Sequence, residues 1–385
     1  MLPSTNWNYP TTVWFGHGRV ADTINACKEL GIKKPLVVTD EALVKLPIFE
    51  NLKEALSKEL DFAVFSDVKP NPTGENIQNG VLAYKQNSND GVIAFGGGSA
   101  LDAGKAIALM VGQDLPIWEF EDIGDNYKKV KADKVAPIIA IPTTAGTGSE
   151  VGRASVITDS KNHAKKIIFH PKMLPSIVIL DPNLTYDLPP RITAWTGIDA
   201  LVHAIEAYCS PLYHPMAEGI ALQAIKMIKE NLLKAYKEPH NENARANMLV
   251  SAMMGATAFQ KGLGSVHSLA HTLGGLYDIP HGLANSIILP YALAQNKDAI
   301  EDKMTDLCKF LDIKNPSTDS FVEYILDLRK ELDIPHSLKG VDINPANAKE
   351  IAKIALNDPS TGTNAKKMSE KDFEELFLNA YNGDI

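Results

Sequence analysis

The sequence predicts an α/β domain followed by an all-helical domain, and three observations carry that expectation. Short β-rich runs alternate with helical stretches in the first half. Long amphipathic stretches with little β-rich sequence fill the second. Between them Asp181–Arg191 (DPNLTYDLPPR) has three prolines and no periodicity. The expected strands are 35–39 (PLVVT), 62–65 (FAVF), 91–95 (GVIAF), 136–141 (APIIAI) and 176–180 (SIVIL). Most are continuous apolar runs bounded by Gly, Pro or Asp, the pattern of strands buried on both faces of a parallel sheet. Helical stretches at 19–30 and 74–87 fall between them, which implies right-handed βαβ units. After the break, 193–208, 216–236, 244–261 and 320–332 read as amphipathic helices. The expected domains are therefore residues 1–186 and 187–385.

The composition narrows the function classes. The 385 residues carry 47 acidic and 38 basic side chains, a net charge of −9, with 45% hydrophobic and 22% charged residues. Those proportions suit a globular chain with ordinary cores. The acidic balance and the lack of a basic block argue against nucleic-acid binding. No apolar run approaches the ~18 residues of a membrane span. The opening MLPSTNWNYP has neither the charged nor the apolar region of a signal peptide. Cys27, Cys209 and Cys308 are far apart in sequence, which fits a reducing cytoplasm and no disulfide framework. There is no internal repeat.

Two loops and an acid point to a nucleotide. The third expected strand runs into Gly96-Gly97-Gly98-Ser99, followed by a helical ALDAGKAIALM. A tight glycine turn at a helix N-terminus lets backbone N–H groups approach a phosphate. Ser99 is the expected cap and Asp102 an acid of the first turn. The spacing is neither G-x-G-x-x-G nor a P-loop, so a turn that merely connects strand to helix is the plain alternative. The next strand ends in Pro142-Thr143-Thr144-Ala145-Gly146-Thr147-Gly148-Ser149-Glu150, a hydroxyl-rich loop where open α/β sheets bind ligands. Asp40 closes the first strand. It suits a ribose hydroxyl and disfavours a 2′-phosphate, or it caps the following turn.

Histidine is unevenly spread: six of ten fall between residues 203 and 281. Asp199 and His203 stand i, i+4 on one helical face, His267 and His271 repeat the spacing, and His281 follows Ile279-Pro280. One carboxylate and several imidazoles suit Fe(II) or Zn(II) and lack the thiolates of a structural zinc site. Taken singly, the i, i+4 pair is a surface pair and His281 an idle loop residue. Together, in a small-residue region with glycines at 262, 264, 274, 275 and 282, they read as a ligand set.

With these motifs the chain resembles the iron-containing (group III) alcohol dehydrogenases over nearly its whole length. Phe15-Gly16-His17-Gly18, Pro70-Asn71-Pro72-Thr73, GGGSALDAGK, PTTAGTGSE and GLGSVHSLAHTLGGLYDIPHG carry the resemblance. It implies an N-terminal Rossmann-like dinucleotide-binding domain, a C-terminal helical metal domain and an active-site cleft between them. It implies NAD(P)-dependent interconversion of alcohols and aldehydes, a homodimer or larger homo-oligomer, and a soluble enzyme that contacts no membrane. By resemblance the metal ligands are Asp199, His203, His267 and His281, and His271 is a catalytic proton relay between metal and nicotinamide. The cofactor residues are Asp40, Asn71, Gly97, Gly98, Ser99, Asp102, Thr143, Thr144, Ser149, Val151, Lys165 and Leu184. Asp40 favours NAD over NADP, and Fe2+ is the expected ion, with Zn2+ the alternative.

The expected substrate is a short alcohol or aldehyde. Arg153 and Lys261 suggest an alternative, a short acidic aldehyde whose carboxylate, sulfonate or phosphonate they would hold. Against this, Arg153 pairs locally and Lys261 caps a helix C-terminus. More distant alternatives are an enzyme of the glycerol dehydrogenase or dehydroquinate synthase type, and a nucleotide sensor with a vestigial metal site. His214 and His240 have no expected role.

Overall fold

The structure, a computed structural model, describes residue 9, residues 11–162 and residues 164–385. Residues 1–8, which carry most of the N-terminal reading, lie outside that range. The described residues fall into two units, Tyr9–Asp187 and Leu188–Ile385.

The first unit alternates strand and helix: β1 (Thr12–Phe15), α1 (Thr23–Leu30), β2 (Pro35–Asp40), α2 (Pro47–Ser57), β3 (Ala63–Val68), α3 (Gly74–Gln86), β4 (Gly91–Gly96), α4 (Gly98–Met110) and β5 (Ile138–Pro142). A hairpin, β6 (Ala154–Asp159) and β7 (Ala164–Phe169), precedes β8 (Ile177–Leu180). Six strands form one parallel sheet in the order β1-β8-β5-β4-β2-β3, and β6 pairs antiparallel with β7.

Period-two alternation sends side chains to opposite faces of the sheet. Leu36, Val38, Val92 and Ile138 pack under α3 and α4 with Ile77 and Ile107. Val37, Ile93, Phe95 and Ile139 pack against α1 and α2 with Cys27, Phe49 and Leu52. Both faces are covered, so every residue of β4, β5 and β8 is buried. This is why these strands read as unbroken apolar runs. The sequence reading omitted β1, which lies at the sheet edge with Thr12 and Phe15 exposed. It also omitted the half-buried β6–β7 hairpin, which stands outside the main sheet.

The second unit is helical: α5 (Pro190–Cys209), α6 (Pro215–Lys237), α7 (Glu242–Ala258), α8 (Ser265–Tyr277), α9 (His281–Phe310), α10 (Thr318–Glu331), α11 (Ala348–Leu356) and α12 (Glu370–Asn382). Helix α5 is central: 14 of its 20 residues are buried, so it has no polar face to give to solvent. It packs on α6, α7 and α9, while α8 packs on α9 and α11. Among the described residues no helix is long and apolar enough to cross a membrane.

Gly104 sets the approach of α4 to the sheet. A Cβ there would lie 2.5 Å from the Ala94 Cβ and 3.2 Å from its Cα. We expect Gly104→Val to cost about 1–3 kcal/mol through overpacking, measured as a lower midpoint in urea unfolding. An unchanged midpoint would show that α4 does not need this close contact.

Candidate functional site

Helices α5, α8 and α9 bring four polar side chains to one point in the second unit. Asp199, His203, His267 and His281 each offer one ligand atom, and these atoms lie within 4.8 Å of one another. Ligand atoms on a single ion with bonds of about 2.1 Å stand roughly 3–4 Å apart, so the set is close to what one ion requires. Asp199 Oδ1 is 3.4 Å from His281 Nε2 and 3.9 Å from His267 Nε2. The His203 ring stacks on His267 with centroids 4.7 Å apart. Asp199 and His267 are each only 1% exposed. His203 Nδ1 is buried with no hydrogen-bond partner. A carboxylate this deeply buried is costly in an apolar interior. A divalent cation would relieve it, and the N/O donor set suits one. His281 is not an idle loop residue: it opens α9, directly after Pro280.

Three further polar residues surround the cluster, and the sequence reading did not single them out. Glu206 Oε2 lies 2.6 Å from His267 Nδ1, while Oε1 accepts from the Val266 N–H at 2.8 Å. Burial pushes its carboxyl up to about 7. Asn285 Nδ2 donates to Asp199 Oδ1 at 2.6 Å and lies 3.0 Å from His281 Nε2. Asp358 Oδ2 lies 2.9 Å from His271 Nδ1. Burial opposes its charge, but the His271 imidazole beside it holds the carboxyl below the usual range. The His271 ring lies 5.3 Å from that of His281, nearly parallel to it, so the expected relay stands beside the ligand set. His214 caps α6, its Nδ1 accepting from the Ala217 N–H.

In the first unit the nucleotide motifs gather at the C-terminal ends of adjacent strands. Chain order reverses between β2 and β4, the place where open α/β sheets form a ligand crevice. Asp40 ends β2, the glycine turn follows β4, and the threonine loop follows β5. Thr143 N–H donates to the Gly96 carbonyl at 3.0 Å. Gly97 and Gly98 lie against Thr144 and Thr147; a Cβ on Gly98 would be 2.7 Å from Thr147 Cγ2. Helix α4 has Gly97 as its N-cap and no side-chain cap, so its first N–H groups face the turn without a side-chain acceptor.

Two expectations about this turn need correction. Ser99 is not the cap; it lies inside α4 and its hydroxyl donates to the Pro70 carbonyl, tying the turn to the Asn71 loop. Asp102 is the fifth residue of α4, and its carboxylate is used within the protein. It accepts from Ser149 Oγ at 2.5 Å and Val156 N–H at 2.9 Å, with Lys105 Nζ 3.1 Å away. It therefore braces the threonine loop. Asp40 Oδ1 caps the next turn through the N–H groups of Ala42 and Leu43. Val151 and Leu184 lie on short turns after β5 and β8, and Lys165 is on β7 opposite Thr158.

The family model described as iron-containing alcohol dehydrogenase matches residues 10–182, and that of its C-terminal region matches residues 193–381. The chain belongs to the iron-containing alcohol dehydrogenase family. It is an oxidoreductase of the alcohol and aldehyde type. A 1,3-propanediol dehydrogenase of Citrobacter freundii is 34% identical over 97% of each chain. A 4-hydroxybutyrate dehydrogenase of Cupriavidus necator is 33% identical over 96% of this chain and 97% of the relative. The solved sulfoacetaldehyde reductase of Bifidobacterium kashiwanohense, in complex with NAD+, superposes with a TM-score of 0.90 at 31% identity, covering 99% of this chain and all of the other.

The two cations proposed for an acidic substrate differ in this dehydrogenase. Lys261 is buried, and its Nζ donates to the carbonyls of Ala207, Tyr208 and Ser210 at 2.5–3.1 Å, with Glu218 Oε1 at 3.0 Å. Three N–H donors facing four acceptors leave none for a substrate anion. Lys261 instead closes the C-terminus of α5. Arg153 is half-buried, its guanidinium 5.5 Å from the Phe169 ring centroid. Burial lowers its pKa, and the Asp122 carboxylate opposes that shift. We expect Lys261→Met to lose about 3 kcal/mol or more, the cost of breaking a buried ionic network, seen in urea unfolding. Its relative kcat/KM on acidic and neutral aldehydes should stay unchanged; a selective loss on the acidic one would restore Lys261 as a substrate contact.

Proposed function

We propose that the chain is an NAD(H)-dependent, Fe2+-dependent dehydrogenase that interconverts a short-chain alcohol and its aldehyde, with Zn2+ as an acceptable substitute ion. The observation that carries this is the convergence of Asp199, His203 and His267, all buried, with the half-buried His281. In this reading those four side chains hold the ion, residues 1–186 bind the nucleotide and residues 187–385 bind the metal. The ion supplies Lewis acidity toward the substrate oxygen, and the nicotinamide supplies the hydride chemistry.

The chain's own residues do the rest. His271 gives its Nδ1–H to Asp358, leaving Nε2 to take up or return the hydroxyl proton. The uncapped N–H groups of α4, with Gly97, Gly98 and Ser99, take the pyrophosphate. Asn71, Thr143, Thr144, Ser149, Val151, Lys165 and Leu184 line the nucleotide around them, with Asp102 holding Ser149 in place. The Asp40 carboxylate, anchored through Oδ1, selects NAD over NADP. Three cysteines without a disulfide support a cytoplasmic setting, and the family likeness supports a homodimer or larger homo-oligomer.

A second reading is favoured by two relatives named for acidic compounds, the 4-hydroxybutyrate dehydrogenase and the sulfoacetaldehyde reductase. Here Arg153 alone would hold the substrate anion. Butanal and succinate semialdehyde, compared on the Fe2+-loaded enzyme, separate the readings. If the substrate is acidic, Arg153→Ala should cut kcat/KM on succinate semialdehyde roughly 10- to 100-fold, the worth of a charge-assisted hydrogen bond, and spare butanal. Equal losses on both, or none, would leave the neutral substrate standing. For the metal set, His267→Ala should lose bound metal and turnover together, by elemental analysis and NADH absorbance. Full metal occupancy in that variant would refute the assignment.

A further inference from the structure

We propose that Glu206 is a positioning residue that fixes the tautomer of His267 and thereby sets the affinity of the site for its ion. The inference rests on the reading of Asp199, His203, His267 and His281 as the metal set.

Glu206 is seven residues beyond Asp199 and three beyond His203, so it shares their face of α5. It is buried, and its two oxygens have separate tasks on α8. Oε1 accepts from the Val266 N–H, one of the first N–H groups of that helix. The neighbouring Ser265 N–H is taken by Asn364 Oδ1. Gly264, the N-cap, offers no side chain, so Glu206 and Asn364 cap α8 from outside it. Oε2 is left to face His267 Nδ1 at 2.6 Å.

With Oε1 accepting from the backbone, the ionised carboxylate can only accept at Oε2, which places the imidazole proton on Nδ1. His267 Nε2, the atom facing Asp199 and the Asn285 amide, then presents a lone pair. A ligating histidine needs that state, and a carboxylate on the far nitrogen also raises the ring's basicity. Glu206 thus joins two of the ligand-bearing helices and sets the ligand atom of one of them.

Glu206→Gln tests this because it preserves shape and removes one acceptor. If the amide oxygen keeps the Val266 N–H, the NH2 group faces Nδ1 and drives the proton onto Nε2, the ligand atom. We expect the Kd for Zn2+, measured by competition titration on the metal-stripped full chain, to rise about 10- to 100-fold. The thermal midpoint of the metal-free variant should not fall. A residue that served only to pack would lower that midpoint and leave the Kd alone. In the parent chain at pH 8, nitrogen-15 NMR of the metal-free protein should show His267 protonated at Nδ1, a readout that holds even if the variant does not fold. A variant Kd within about threefold of the parent's, or an Nε2-protonated His267, would overturn the inference. Asp199→Ala separates the two levels: if it left Zn2+ affinity unchanged, the metal set itself would be wrong, and Glu206 would lose its role with it.

Discussion

Burying the Asp199 carboxylate among imidazole nitrogens is the constraint on which the helical unit depends. The carboxylate is almost fully enclosed, one of its oxygens is held by Asn285, and the nitrogens beside it belong to α5, α8 and α9. Without a cation such a cluster opposes folding, since each polar group has left water for incomplete partners. Much of the surrounding structure answers that cost. Lys261 closes the end of α5, Glu206 and Asn364 cap α8, and Asn285 reaches back from the N-terminal end of α9. Each of these three helices is fixed by a polar contact of its own.

The sheet unit solves a different problem with the same economy of means. The turn before α4 has no side-chain cap and is held from elsewhere. Ser99 anchors it to Pro70, Thr143 to Gly96, and Asp102 with Lys105 ties α4 to Ser149 and β6. Asp102, set beside the phosphate turn, is therefore a brace of the loop.

The alternation of strands and helices, the helical second half and the ligand pattern were legible because they are periodic within short windows. Asp199 and His203 announce a shared face by spacing alone. Glu206 obeys the same periodicity, but a glutamate at i+7 reads as a solvated helix residue, and its partner lies 61 residues away. Asp358 is 87 residues from His271. Lys261 stood open between substrate cation and helix cap for the same reason: which helix end it caps, some fifty residues earlier, does not show in its neighbourhood. Edge strand β1 escaped because four residues, exposed at both ends, give too weak a pattern. Contacts across the fold, more than local propensity, decide which polar residues are functional and which are structural.

The central claim is that one divalent ion sits among Asp199, His203, His267 and His281. Anomalous diffraction from crystals of the Fe2+- or Zn2+-loaded chain, collected on both sides of the metal's absorption edge, tests it most directly. The account predicts a single strong peak touching one carboxylate oxygen and three imidazole nitrogens of those residues. A peak elsewhere, or one bound through a cysteine sulfur, would contradict it.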